Sequence, residues 1–434
     1  MDSATLLRTL YDAAVAAADP HAPTRDALRQ QLAERTDDGR GWIVAVGKAA
    51  ARMAEAARLA AGDTELELAG GVVVGTELAA VDVPLESVVG DHPIPGARSR
   101  RAAERLGALT HAVLPDDHVL LLISGGTSSL IAAPADRVDG HALGEAFRIL
   151  LGAGGGVDIT VMNAIRRRFL RWGGGRFAAA VAPAPVHQVI LSDVVGDDPA
   201  VIASGPATPD PHTAHELRAL LEEHRLVARL PAALIAYLEQ VIAGHVAETP
   251  KPGDAVFQNV SAPVIIGRTR LHDGVAQAAR ANRVPCTVHE EAVIGEAGER
   301  GKAIALSLAT GAPPGIHCWS GETTVTLGDA TGRGGRSQEF ALSAALALEE
   351  LGDGVAQVTL LAAGTDGRDG PTDAAGATVD RETAARIRAA GVDPANSLAR
   401  HDVYPALDAA GALLRTGATG TNVADVVIAV VAPP

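Results

Sequence analysis

Cysteine and aromatic residues are scarce in this 434-residue chain: it has two cysteines, Cys286 and Cys318, and 3% Phe, Trp and Tyr together. Two thiols cannot build a disulfide framework or a multi-thiolate metal site, and both sit in apolar, strand-like runs that read as core in a reducing compartment. So few aromatics weaken any reading that needs base stacking or a sugar-ring platform. Positive charge is also short, with 37 Lys and Arg against 52 Asp and Glu for a net charge of −15. That balance opposes non-specific nucleic-acid binding, which relies on an excess of Lys and Arg. No apolar run approaches membrane-spanning length, and MDSATLLRTLYDAAVAA at the N-terminus reads as an amphipathic helix rather than a leader peptide. A cytoplasmic enzyme of small metabolites is expected, with no nucleic-acid or membrane partner.

Two common nucleotide signatures are missing as well. Gly47-Lys48 is followed by Ala49 rather than Ser or Thr, with no glycine at the required upstream position, so it is not a Walker A loop. GAGGGVD, residues 152–158, lacks the third glycine of a dinucleotide fingerprint and follows a helix pattern, which counts against a nicotinamide reductase.

What the chain does have is alanine-led apolar content of 47% and alternating strand and helix patterns over a length that suggests two domains. Trp42 to Val46 is a β-branched run ending in Gly47-Lys48, and a helix pattern follows at once. HVLLLIS then leads into GGTSS, where Gly125 and Gly126 let backbone approach a ligand and Ser124, Thr127, Ser128 and Ser129 add hydroxyls. Such loops lie at the carboxyl ends of strands, where open α/β sheets bind ligands. QVILSDVVGDDPAVIASGPATPDP gives another strand and a loop with Asp193, Asp197 and Asp198. AETPKPGD, Ala247 to Asp254, breaks the helical pattern and marks a candidate domain boundary. Both domains are expected to hold largely parallel sheets.

The densest stretch runs from Gly321 to Gly376. In GDATGRGGRSQEF, Arg333 and Arg336 precede a helix pattern whose N-terminus carries partial positive charge, making a place for an anion. In GTDGRDGPTD, Asp366, Asp369 and Asp373 fall within eight residues among glycines, an arrangement suited to a hard cation. Together they suggest a polyphosphate and its Mg²⁺. Each residue also has a structural reading. Lys48 could be an exposed helix-start lysine, Arg336 could pair with Glu339, the Asp366 loop could be a set of Asx turns, and Asp193 could cap a turn. His92 could be a turn residue, and Arg166, Arg167 and Arg168 could form a solvated face.

The blocks VAVGKAA, GDHPIPGARS, LLISGGTSSLIAAP, MNAIRRRF, LSDVVGDDPAVIASGPATPD, GETTVTLGDATGRGGRSQE, AAGTDGRDGPTDAAGA and LLRTGATGTNVAD resemble, in order and over nearly the whole chain, the glycerate 2-kinase family. The C-terminal half of that family is the MOFRL domain, and some members carry a hydroxypyruvate reductase name. The resemblance implies a Rossmann-like N-terminal domain over residues 1–250 and a C-terminal α/β domain over 255–434, with the MOFRL region at about 315–434 and the active site in the cleft between them. It implies transfer of the ATP γ-phosphoryl group to the 2-hydroxyl of D-glycerate, giving 2-phosphoglycerate, or to a related small sugar acid, with ATP and Mg²⁺. Lys48 and Arg336 would neutralise the transferring group, and Asp366 would serve catalysis or metal binding. Beyond that precedent, Ser124, Gly125, Gly126, Thr127, Ser128, Arg166, Asp193 and Glu322 are candidate substrate or phosphate contacts. Asp193, Asp197 and Asp366 are candidate metal ligands. A homodimer is left open. The alternatives are an NAD(P)H-dependent hydroxypyruvate reductase and a non-catalytic hydroxy-acid-binding protein. Leu170 and Gly173 stand where the family usually has Ser and Lys, and Ala418 and Ala424 where it has Pro and Asn. These departures suggest a shifted acceptor or reduced activity on glycerate.

Overall fold

Continuous apolar runs such as HVLLLI leave no polar face, as expected for strands covered on both sides. The computed structural model describes residues 2–152, 159–194, 196–328, 330–351 and 354–433. The glycine run at 153–156 lies outside them. The chain divides into two units, residues 20–266 and residues 1–19 joined with 267–434.

In the first unit, β1 (Gly41–Val46), β2 (Leu68–Gly75), β3 (Leu85–Val89), β4 (His118–Ile123), β5 (Val186–Leu191) and β6 (Val264–Ile266) form one sheet in the order β3-β2-β1-β4-β5-β6. Every pair in it is parallel. This is the doubly wound, Rossmann-type order, in which the chain reverses direction across the sheet between β1 and β4. Val44, Val46, Leu121 and Ile123 centre its core. A second apolar cluster, with Phe147, Phe169, Leu170, Leu217 and Leu238, joins the helices that follow β4 and β5.

In the second unit, β7 (Cys286–Val288), β8 (Val293–Glu296), β9 (Gly315–Thr324), β10 (Gln357–Gly364), β11 (Gly376–Asp380), β12 (Leu413–Leu414) and β13 (Asp425–Ala432) form a mixed sheet. Its order is β12-β11-β10-β13-β9-β7, with β8 also on β9. Only β7 and β8 run parallel to β9; the other pairs are antiparallel. The expected largely parallel sheet is therefore corrected here. β10 and β11 are joined by a loop without a helix, and parallel pairing requires a long crossover. Helix Arg336–Glu349 is buried along almost its whole length by small residues on every side, among them Ala341, Ala344, Ala345 and Ala347.

The units part elsewhere than the proline-rich break suggests. Beyond Ala247–Asp254 the chain still adds β6 to the parallel sheet, pairing Val264 with Val189. The N-terminal helix Ser3–Ala17 packs with the second unit, where Tyr11 Oη donates to Gly364 O at 2.8 Å and Thr421 Oγ1 donates to Ala18 O at 2.6 Å.

Candidate functional site

The turns after β1 and β4 meet at the strand-order reversal of the first unit, where open α/β sheets bind their ligands. They are tied backbone to backbone: Lys48 N–H donates to Gly125 O at 3.0 Å and Ser124 N–H to Val46 O at 2.9 Å. Two of the expected hydroxyl contacts serve this junction. Ser124 Oγ accepts from Ala49 N–H at 3.1 Å, and Thr127 Oγ1 donates to Val46 O at 2.8 Å and to Ser124 O at 2.7 Å. Gly47 has φ +130°, and a Cβ there would lie 2.6 Å from Ser124 O, so only glycine lets the turns close this tightly. Lys48 is exposed, and Gly126 and Ser128 are half-buried. Ser128 Oγ lies 3.0 Å from Ser204 Oγ, whose residue, like Ala203, holds a positive φ on a tight turn.

Asp193 sits half-buried just past the end of β5, whose neighbour in the sheet is β4. Asp197 adopts φ 52° in the loop beyond it, while Asp198 caps that loop by accepting from Ala200 N–H at 2.9 Å. The three arginines of helix Ile159–Phe169 do not form a solvated face. Arg167 and Arg168 are buried, and Arg166 is half-buried over the Phe147 ring at 5.7 Å. Arg167 Nη1 donates to Ala200 O at 2.9 Å, and Arg168 pairs with Asp210 at 3.5 Å and with Glu248. Leu170 belongs to the helical core, and a Cβ on Gly173 would lie 3.1 Å from the Arg167 backbone. Ala418 is exposed; Ala424 is buried at φ 139° and accepts from Thr365 Oγ1 at 2.7 Å.

In the second unit the two glycine-rich loops do face each other. A Cβ on Gly335 would strike the Asp369 carboxyl, and the Asp369 carboxylate accepts Ser337 N–H at 3.1 Å and Gln338 N–H at 2.8 Å. The anion place at the helix N-terminus is thus filled from within the chain. Burial, reinforced by Asp425 and opposed by those two N–H groups, pushes the Asp369 carboxyl up to about 7.

Arg336 opens the same helix. Its Nε and Nη2 donate to the two Asp425 oxygens at 2.6 and 3.1 Å, and its Nη1 pairs with Glu322. Burial acts to lower the guanidinium pKa, but Asp425 and Glu322 together raise it. Glu339 pairs instead with His401 Nδ1 at 2.8 Å, and Arg333 stacks over the Tyr404 ring at 4.0 Å.

The three aspartates of GTDGRDGPTD diverge, because like charges close in sequence find separate partners. Asp366 folds back onto Arg368 N–H at 3.0 Å, Asp369 lies under the helix start, and Asp373 takes Tyr404 Oη at 2.6 Å and Arg415 Nε at 3.2 Å. The expected cation cluster is corrected to this extent. Among the described residues no group of three or more His, Cys, Asp or Glu side chains is placed to hold a metal ion. The second unit does bring Arg336 and Glu322 together, and Asp366 acts electrostatically on Asp425. A small recess beside them is lined by Thr323, Ser337, Phe340 and Asp425. Asp425 escaped notice in the sequence because one aspartate before an apolar strand looks like a strand boundary.

A family model described as a domain of unknown function, DUF4147, matches residues 6–239, and the MOFRL family model matches residues 316–425. The chain is 37% identical to the D-glycerate 2-kinase of Thermotoga maritima, over 90% of this chain and 90% of that one. It is 40% identical to an Agrobacterium vitis protein named "Putative hydroxypyruvate reductase", over 97% and 93% of the two chains. The crystal structure of a Thermotoga maritima glycerate kinase superposes with a TM-score of 0.81 at 34% identity, covering 98% of this chain and 99% of that one.

Proposed function

The chain belongs to the glycerate kinase family that carries the MOFRL domain, and we propose that it is an ATP- and Mg²⁺-dependent kinase phosphorylating the 2-hydroxyl of D-glycerate or a closely related small hydroxy acid. The observation that carries this reading is the exposed lysine at the strand-order reversal, seated on a glycine turn locked to its neighbour by backbone hydrogen bonds. Loops at the carboxyl ends of strands beside a strand-order reversal are where open α/β sheets take their ligands, and this one carries a positive charge. The missing dinucleotide fingerprint counts against a nicotinamide reductase.

In phosphoryl transfer the protein contributes mainly positioning and charge. Lys48 would bind polyphosphate oxygens, with the Gly125–Ser128 turn offering backbone beside it. Arg336 would stabilise negative charge on the transferring group. Asp193, with Asp197 as the alternative, would accept the acceptor hydroxyl proton. Mg²⁺ is commonly held by one or two carboxylates together with substrate phosphates, and Asp193, Asp197 and Asp366 are the candidates for that role. When bound, the ion would neutralise phosphate charge.

The test is ADP release, coupled to a readout enzyme, over C3 to C6 hydroxy acids with ATP and Mg²⁺. D-glycerate or a four-carbon analogue should turn over, and Lys48→Ala should lower kcat/KM by about 10²- to 10³-fold. Rapid NADH oxidation by hydroxypyruvate without ATP would establish the reductase instead. Acid binding without ADP release, insensitive to Lys48→Ala, would leave a binding protein.

A further inference from the structure

The guanidinium of Arg336 has its three nitrogens divided between two carboxylates of different exposure. Asp425 is 15% exposed and takes Nε and Nη2 together; Glu322 is 48% exposed and takes Nη1 alone. Asp425 begins β13, and its register partners on either side, Gly321 of β9 and Gly364 of β10, carry no side chains. Neither glycine leaves open space, since a Cβ on Gly321 would lie 2.2 Å from Val293 O and one on Gly364 2.8 Å from Arg368 O, so the strand ends that carry Asp425 are closely packed and hold its carboxylate in place. A paired, two-bond contact fixes the plane of the guanidinium, and lysine could not reproduce it. A single exposed contact contributes about 0–1 kcal/mol and is readily exchanged.

We infer that Asp425 is a positioning residue that orients Arg336 through Nε and Nη2, and that Glu322 is the displaceable partner at Nη1, the edge an incoming phosphoryl oxygen takes. The inference rests on the kinase reading for its catalytic consequence, but not for its anion-binding consequence. Displacing Glu322 leaves Asp425 in place, so the guanidinium meets the anion without first reorienting, the condition under which a fixed charge acts most strongly. Asp425 touches no reacting atom; it acts through Arg336.

The experiment uses the full chain and two readouts: calorimetric binding of inorganic tripolyphosphate, and ADP-release kinetics with the preferred acid, with thermal melting of each variant alongside. Glu322→Gln should bind tripolyphosphate about 5-fold tighter, since a competing negative charge is removed. Asp425→Asn should lower kcat by about 10²-fold with the KM for the acid nearly unchanged. Asp425→Glu should recover part of that loss, and Arg336→Lys should match Asp425→Asn. Unchanged or absent tripolyphosphate binding in Glu322→Gln overturns the inference. So does an Asp425→Asn variant whose activity falls only in proportion to its folded fraction. If Asp425→Asn fails to fold, the Glu322→Gln binding arm and the Asp425→Glu kinetics decide. A failure of the kinase reading looks different: wild type releases no ADP on any acid, while Glu322→Gln still tightens tripolyphosphate binding.

Discussion

Each unit holds an arginine among carboxylates, and the two have opposite electrostatic fates. Arg168 in the first unit is 0% exposed, beside Asp210 and Glu248, while Arg336 in the second is 35% exposed, beside Asp425 and Glu322. Burial lowers the Arg168 pKa to about 10 despite Asp210; at Arg336 the two carboxylates outweigh burial and raise it. The nearby Lys251 ammonium is likewise pulled down to about 8, by burial first. The lesson is that clustered charge by itself does not mark a site. The deeper cluster, whose Arg168 and Asp210 are almost wholly buried while Glu248 is 34% exposed, joins helix Ile159–Phe169 to the segments around Asp210 and Glu248 as scaffold, whereas the Arg336 cluster keeps its guanidinium partly exposed.

That contrast is most sharply tested at Asp210. Its removal leaves Arg167, Arg168 and Lys251 short of a buried counter-charge, so Asp210→Ala should cost about 3–5 kcal/mol in denaturant unfolding. Glu322→Gln should stay within about 1 kcal/mol. Comparable losses in the two variants would erase the distinction between scaffold and site.

A steric comparison comes next. Gly47→Ala should cost about 3 kcal/mol, because it combines a positive φ with a clash against Ser124 backbone. Gly335→Ala strikes the Asp369 carboxyl and backbone but keeps an ordinary φ, so about 2 kcal/mol is expected. Reversal of that order in melting experiments would mean that the loops of the second unit are the more tightly packed.

The two units should also respond to pH with opposite signs. Burial, and then His118, push His187 down from 6.5 to about 4. The unfolded chain therefore binds the extra proton between those values, and stability present above pH 6.5 is lost as pH falls toward 4. Asp369 is pushed up from 3.8 to about 7. Its contribution is complete below 3.8 and is lost as pH rises through 7. Melting temperatures from pH 4 to 8 should show His187→Gln flattening the loss toward acid pH and Asp369→Asn flattening the loss toward neutral pH. Identical profiles for wild type and both variants would remove the assigned groups.

Much of the fold was legible because its signals are local. GWIVAV, HVLLLI and QVTLLAAG announce strands by continuous apolar runs, and glycines after them announce turns. Lys48 and the Ser124 turn were readable as strand-end loops. That they adjoin at the strand-order reversal was not, since strand order is absent from any single segment. Ser124 and Thr127, read from the sequence as ligand contacts, also tie the two turns together, which no single segment announces. Three arginines in a row on a helix cannot all point the same way, and of Arg166 to Arg168 two are buried and the third half-buried rather than forming a solvated face. Asp366, Asp369 and Asp373 looked like one cluster, and each found a different partner.

The amino-acid order by itself determined where strands and helices form, that two α/β units follow from them, and which residues carry unusual charge beside glycine. Those properties depend on neighbours a few positions away. Only the tertiary structure decided that Asp425, far along the chain, holds Arg336, that Asp369 fills the helix start, and that the arginine of one cluster is buried while that of the other stays partly exposed. Which charges meet, and how much water reaches them, depends on which strand ends come to lie side by side.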